Sequence, residues 1–152
     1  MTTVGFTGTR NGMTEPQRQA VRGILMAREP SVCVHGDCVG ADADFDGICQ
    51  ELGIERTCRP CTFESMRAHT GAREVAEPKR PMARNRDIVA DADFMIACPP
   101  NFERIKKGSG TWATIGFAER AQKELFVIFP DGRISRDTDA APANSPLSEY
   151  RT

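Results

Sequence analysis

Four consecutive residues, Gly108-Ser109-Gly110-Thr111, put two glycines and two hydroxyls ahead of a helical pattern that follows an apolar run. Glycines let a backbone approach a ligand closely, and a helix start offers unpaired N–H groups and partial positive charge to an anion. The chemistry this predicts is capture of a phosphate-bearing ligand, with Ser109 and Thr111 as added donors. The same residues would also serve as a plain glycine loop with a Thr cap.

Three other segments carry residue types suited to the same task. Gly5-Phe6-Thr7-Gly8-Thr9-Arg10 is a second glycine turn, and Arg10 can pair with a phosphate or carboxylate. It lacks the Gly-Lys-Ser/Thr of a Walker A loop and is not a GxGxxG fingerprint. His35-Gly36-Asp37-Cys38-Val39-Gly40-Ala41-Asp42 ends an apolar run and begins a helical one. Asp42 there reads equally well as a ribose ligand and as a carboxylate satisfying backbone donors at the helix start. His35 reads as a hydrogen-bonded structural histidine. In Arg84-Asn85-Arg86, residues two apart face differently on a helix, so Arg84 with Asn85 is expected to face the site. Cys58-Arg59-Pro60-Cys61 has CxxC spacing without a second ligand pair, so a structural thiol pair is expected and no metal site.

The elements that position these segments alternate strand and helix. Strands are expected at 3–6, 31–35, 54–58, 93–98 and 125–129. Helices are expected from Thr14, which with Gln17 forms a capping box, to about Arg28, and over 41–52, 82–90 and 111–123. Residues 61–81 lack periodicity and read as a long excursion over one edge. The pattern predicts an α/β domain over 1–132: an open, mainly parallel five-stranded sheet in the order 3-2-1-4-5 with helices on both faces, and a loosely held tail over 133–152. Ligands of such sheets bind beyond the carboxyl ends of the strands where the winding reverses. Thr7 to Arg10 and Pro99 to Thr111 must meet there.

Composition bounds the possibilities. A chain of 152 residues with 39% hydrophobic and 27% charged residues is one ordinary globular domain. The formal net charge is -1, with 20 Lys+Arg against 21 Asp+Glu, which argues against a surface dominated by nucleic-acid binding. No apolar run is long enough to cross a bilayer, and the first residues do not read as a signal peptide. A cytoplasmic setting with six reduced cysteines is therefore expected.

Together, GFTGTR, HGDCVGADADF, RNRDIV, a strand ending in ACPP, and GSGTWAT resemble the SLOG superfamily of Rossmann-like proteins over about residues 3–132. That superfamily includes small nucleotide-binding members, the DNA-processing protein A family and the lonely-guy phosphoribohydrolases. The resemblance implies a nucleotide pocket formed by Gly8, Thr9, Arg10, Gly36, Asp37, Gly40, Asp42, Arg84, Asn85, Pro99, Gly108, Ser109, Gly110 and Thr111. The phosphoribohydrolase motif PGGxGTxxE departs here. Lys106-Lys107 replace its Pro-Gly, and Thr114 stands at its catalytic Glu.

Binding of a nucleotide or nucleotide-derived phosphate ligand, with no further cofactor, is the first expectation. The alternative is an N-glycosidic hydrolase or transferase whose acid is Asp37, Asp42 or Glu77. The third is single-stranded DNA binding, disfavoured by the balanced charge and by a single Trp and a single Tyr. Trp112 and Ile115 share one face of the last long helix and Ala113 and Phe117 another; one face must cover the sheet, leaving the other for a homo-oligomer.

Overall fold

A computed structural model describes residues 1–137 of the chain. The strands are β1 (Thr3–Gly8), β2 (Val32–His35), β3 (Glu55–Cys58), β4 (Arg73–Glu74), β5 (Phe94–Cys98), β6 (Glu124–Ile128) and β7 (Ile134–Asp137). The helices are α1 (Glu15–Arg28), α2 (Ala41–Glu51), α3 (Pro81–Asp91) and α4 (Gly110–Arg120), with a short 3-10 turn at Glu64–Met66. They form one sheet in the order β4-β3-β2-β1-β5-β6-β7. All neighbours are parallel except β6 and β7.

The fold class and the order of the five central strands agree with the expectation; the number of strands does not. The sheet has seven strands rather than five, because each edge carries an addition. β4 lies within the 61–81 excursion and pairs with the end of β3 at Thr57 and Cys58. β7 occupies residues expected to be tail: the Pro130–Gly132 turn reverses the chain, and Phe129 N–H donates to the Arg133 carbonyl at 2.9 Å, so Ile134 to Asp137 run back along β6. The rest of the expected tail lies outside the described residues.

Alternation along the strands divides the core in two. Val4, Phe6, Cys33, Phe94, Ile96, Phe126 and Ile128 face α1 and α2, which contribute Val21, Leu25, Phe45 and Ile48. Val34, Met95, Ala97, Leu125 and Val127 face α3 and α4, which contribute Ile88, Val89, Trp112 and Ile115. Helices on both faces follow from this period of two. Trp112 and Ile115 are 1% and 0% exposed. They cover the sheet within the monomer and cannot form an oligomer contact. The other face of α4 presents Phe117, half-buried between the guanidinium groups of Arg86 and Arg120.

The start of α1 is fixed as its sequence predicts. Thr14 Oγ1 accepts the Gln17 N–H, and Gln17 Oε1 accepts the Thr14 N–H. The buried Gln17 amide also donates to the Pro99 and Ile128 carbonyls, both at 2.9 Å. It ties the end of β6 to the residue after β5, where the site begins.

Candidate functional site

Beyond the carboxyl ends of β1 and β5 lies a pocket of about 520 Å³. That size suits a drug-sized or cofactor-sized ligand. Most of its wall comes from the β1–α1 turn, the β2–α2 turn, the start of α3 and the β5–α4 loop, which are the four segments singled out by residue type.

The β5–α4 turn is the open part. Ser109 caps α4 by accepting the Trp112 N–H at 3.2 Å. The N–H groups of Gly110 and Thr111 have no hydrogen-bond partner among the described residues. Gly110 is the glycine that opens to the pocket: a Cβ there would meet only Met82 Cε at 3.7 Å and Asn85 Nδ2 at 4.0 Å. Thr114 donates to the Gly110 carbonyl at 2.8 Å and is 1% exposed, so it braces the helix from beneath and does not line the pocket.

Opposite this turn sit Arg84 and Asn85, 4% and 8% exposed, both on the inward face of α3 while Arg86 points out. Arg84 Nε donates to Asn85 Oδ1 at 2.8 Å. Nη1 donates to the Gly36 and Arg59 carbonyls at 2.7 and 3.1 Å, and Nη2 reaches Cys38 Sγ at 3.4 Å. Four of the five guanidinium N–H groups are therefore used on neutral acceptors, leaving one on Nη2. Because Asn85 Oδ1 faces Arg84, the Asn85 NH2 group is turned towards the start of α4.

The β2–α2 turn is closed on itself. Asp42 Oδ2 accepts the N–H groups of Gly36 and Cys38, both at 3.1 Å. Of the two roles weighed for Asp42, satisfying backbone donors at the helix start is therefore filled, yet Asp42 also lines the pocket. Burial pushes its carboxyl pKa up, opposed by the nearby charges of His35 and Arg84 and by the two N–H bonds. Gly36 leaves room for Arg84, whose Nη1 would lie 2.5 Å from a Cβ. Cys38 is pushed up to about 11, by burial first and then by Asp42, with Arg84 opposing.

Asp37, Gly40 and Pro99 do not line the pocket. Asp37 turns the other way and anchors the excursion, accepting from the Thr70 N–H and hydroxyl at 2.9 and 2.8 Å and from Arg67 Nε at 2.9 Å. Burial alone would raise its pKa, but these bonds outweigh it and hold the carboxyl below its ordinary value. Gly40 adopts φ +93 with the Arg10 carbonyl 2.2 Å from where a Cβ would stand, a packing requirement of the two turns. Pro99 is held through its carbonyl by Gln17, and Pro100 lines the pocket instead. His35 is fully buried: Nδ1 accepts the Asp37 N–H at 2.9 Å and Nε2 contacts Asp46 Oδ1 at 2.9 Å. That is the structural role its sequence suggests. Glu77 is exposed and outside the pocket. Cys58 and Cys61 are buried free thiols whose Sγ atoms reach the carbonyls of Ala72 and Phe63.

An apolar component of the wall was not evident from the sequence. Phe63 and Met66 from the excursion, Met82 from α3 and Ile105 from the β5–α4 loop also line the pocket, Met82 close to the glycine turn. Phe63, Met82 and Ile105 are 49%, 38% and 38% exposed, unusual for large apolar side chains unless something covers them. Their only signal was an isolated aromatic in an aperiodic segment.

No protein-family model and no curated protein matches the chain. Solved structures do. A molybdenum cofactor binding protein from Rippkaea orientalis superposes with a TM-score of 0.65 at 19% identity, over 84% of this chain and 76% of that one. DNA processing protein A from Helicobacter pylori, studied for its single-stranded DNA binding mode, gives 0.57 at 20% identity over 83% and 64%. The Streptococcus pneumoniae protein of that name gives 0.61 at 17% over 84% and 50%. The chain shares the Rossmann-like fold of these proteins. At these identities the likeness is one of architecture, and these neighbours differ in what they bind. No helix among the described residues is long and apolar enough to cross a membrane.

Proposed function

We propose that the pocket binds a nucleotide or nucleotide-derived phosphate ligand. The observation that carries this is the Asn85 amide: a side chain 8% exposed, its oxygen held by Arg84 and its NH2 group turned to the unoccupied N–H groups of Gly110 and Thr111. Donors converge there with no acceptor, which is the arrangement an anion satisfies. A phosphate would sit on the start of α4 with Arg10 and Arg84 balancing its charge, and Asp42 would meet a ribose hydroxyl. The apolar wall of Phe63, Met66, Met82 and Ile105 would cover a base.

Binding without turnover is favoured over N-glycosidic hydrolysis. Asp42 is the one carboxylate lining the pocket and is already bonded to two N–H groups, while Thr114 is engaged within α4. A bounded recess also favours a small ligand over a nucleic-acid strand, although one similar protein binds single-stranded DNA. In a thermal-shift panel of nucleotides, the wild-type chain should be stabilised by its ligand and Gly110→Trp should fold but lose that stabilisation. An undiminished shift in Gly110→Trp would reject this placement.

A further inference from the structure

The cations of the molecule are spent unevenly. Among the described residues, the side chains of Arg10, Arg80, Lys106 and Lys107 have no hydrogen bond, ion pair or ring contact. Every other described Lys and Arg has one, whether to a carboxylate, a backbone carbonyl or an aromatic face. All four flank one opening. Arg10 lines the pocket, Arg80 precedes the pocket-lining Pro81, and Lys106 and Lys107 lie between Ile105 and Gly108, which both line it. Glu77 and Glu103, acids close to them in sequence, form no ion pair with them.

The inner site needs only one of these charges. Two backbone N–H groups, the Asn85 amide and the Arg84 and Arg10 guanidinium groups already match one phosphate, which carries roughly 1.5 to 2 negative charges at neutral pH. The loop that bears the two lysines is pinned only in its first half. Trp112 Nε1 donates to Asn101 Oδ1 at 2.8 Å, Phe102 stacks on Phe129, and Arg104 pairs with Glu119. Residues 105–108 have no hydrogen bond to the rest of the described chain, and Gly108, at φ +81 with open space around it, joins them to α4.

We infer that the ligand carries a second phosphate next to the first, as in a nucleoside diphosphate, and that Lys106 and Lys107 fold onto it, with Arg80 as the third cation left for it. This rests on the nucleotide reading above and narrows it.

Titration calorimetry of the full chain with orthophosphate, pyrophosphate, AMP, ADP, GMP and GDP at low salt tests it. Each diphosphate should bind about tenfold more tightly than its monophosphate, with the ratio shrinking as salt screens the exposed cations. The double variant Lys106→Ala/Lys107→Ala, altered only at exposed positions, should bring the ratio close to one. Equal affinity for mono- and diphosphates in the wild type would overturn this inference and leave the nucleotide reading standing. Binding of none of the six probes would overturn both. A ratio unchanged in the double variant would also overturn the inference. So would an oligothymidylate that binds more tightly than either diphosphate, which would assign the cations to a strand.

Discussion

The turn from β2 into α2 and the turn from β5 into α4 stand at the same end of the sheet, both rich in glycine and both leading into a helix. In the first, the chain supplies its own anion: Asp42 takes the N–H groups of Gly36 and Cys38, and Arg84 takes the Gly36 carbonyl. In the second, Ser109 satisfies one N–H and leaves the next donors open beside the Asn85 amide. Glycine content alone does not distinguish a filled turn from a receptive one. What distinguishes them is whether an acceptor on the same chain reaches the donors. Arg84 and Asn85 join the two turns, one side chain serving the closed turn and its neighbour facing the open one.

The largest effect is expected where the closed turn is broken. Arg84→Ala removes bonds to two carbonyls and to Asn85 and takes one of two nearby positive charges from the buried Asp42, a loss of about 3 kcal/mol. Urea unfolding should show it as a lowered midpoint; a change under about 1 kcal/mol would mean the turn does not depend on Arg84. Asn85→Asp probes the open turn with little cost to the closed one. It keeps an acceptor for Arg84 Nε and replaces the NH2 group by an oxygen, so nucleotide affinity should fall about 100-fold through repulsion while the fold persists. Retained affinity would remove Asn85 from the anion site.

Acidification separates the two aspartates of the closed turn. Asp37 is held below its ordinary value, so its contribution is present above the unfolded carboxyl pKa, near 3.9, and disappears as pH falls through the lower folded value. Asp42 is raised, so acidification relieves the cost of its buried charge from a higher pH. Stability measured against pH should therefore fall less steeply on the acid side in Asp37→Asn than in the wild type; parallel curves would contradict this. The smallest effect is Thr114→Val, which removes one bond to the Gly110 carbonyl and should cost about 1 kcal/mol in the same urea assay, with nucleotide binding maintained. A loss of binding there would give Thr114 a part in the pocket.

Local grammar and strand order were legible because each rests on short-range physics. The Thr14–Gln17 capping box and the inward pair Arg84–Asn85 follow from spacing on a helix, whereas the cap of α4 is Ser109 and not the threonine expected. The central strand order follows from right-handed crossovers. β4 was invisible because two exposed residues at an edge carry no pattern. β7 was invisible because Ile134 to Asp137 have no apolar alternation and owe their pairing to β6. Asp37, Gly40 and Pro99 show the matching limit within the site. All three lie within two residues of pocket-lining ones, but Asp37 turns to Arg67 and Thr70, Gly40 serves the Arg10 carbonyl, and Pro99 is claimed by Gln17. The excursion's share of the apolar wall depends on where an aperiodic segment is pinned, which long-range contacts such as those of Asp37 and the Val39 N–H to Met66 carbonyl bond determine.

The central position of β1 also bears on how the chain is made. Val4 lies between Cys33 of β2 and Phe94 of β5, so one side of the innermost strand waits for a partner far down the sequence. A chain emerging from the ribosome exposes that apolar edge until β5 is out, the condition under which strands pair wrongly with other molecules. The pocket is completed later still, since its β5–α4 wall, Pro100 to Thr111, comes last. A nascent chain halted before Pro100 holds the filled turn and the walls from the first two turns and α3 but not the open turn, so a ligand held there can assist folding only in its final stage.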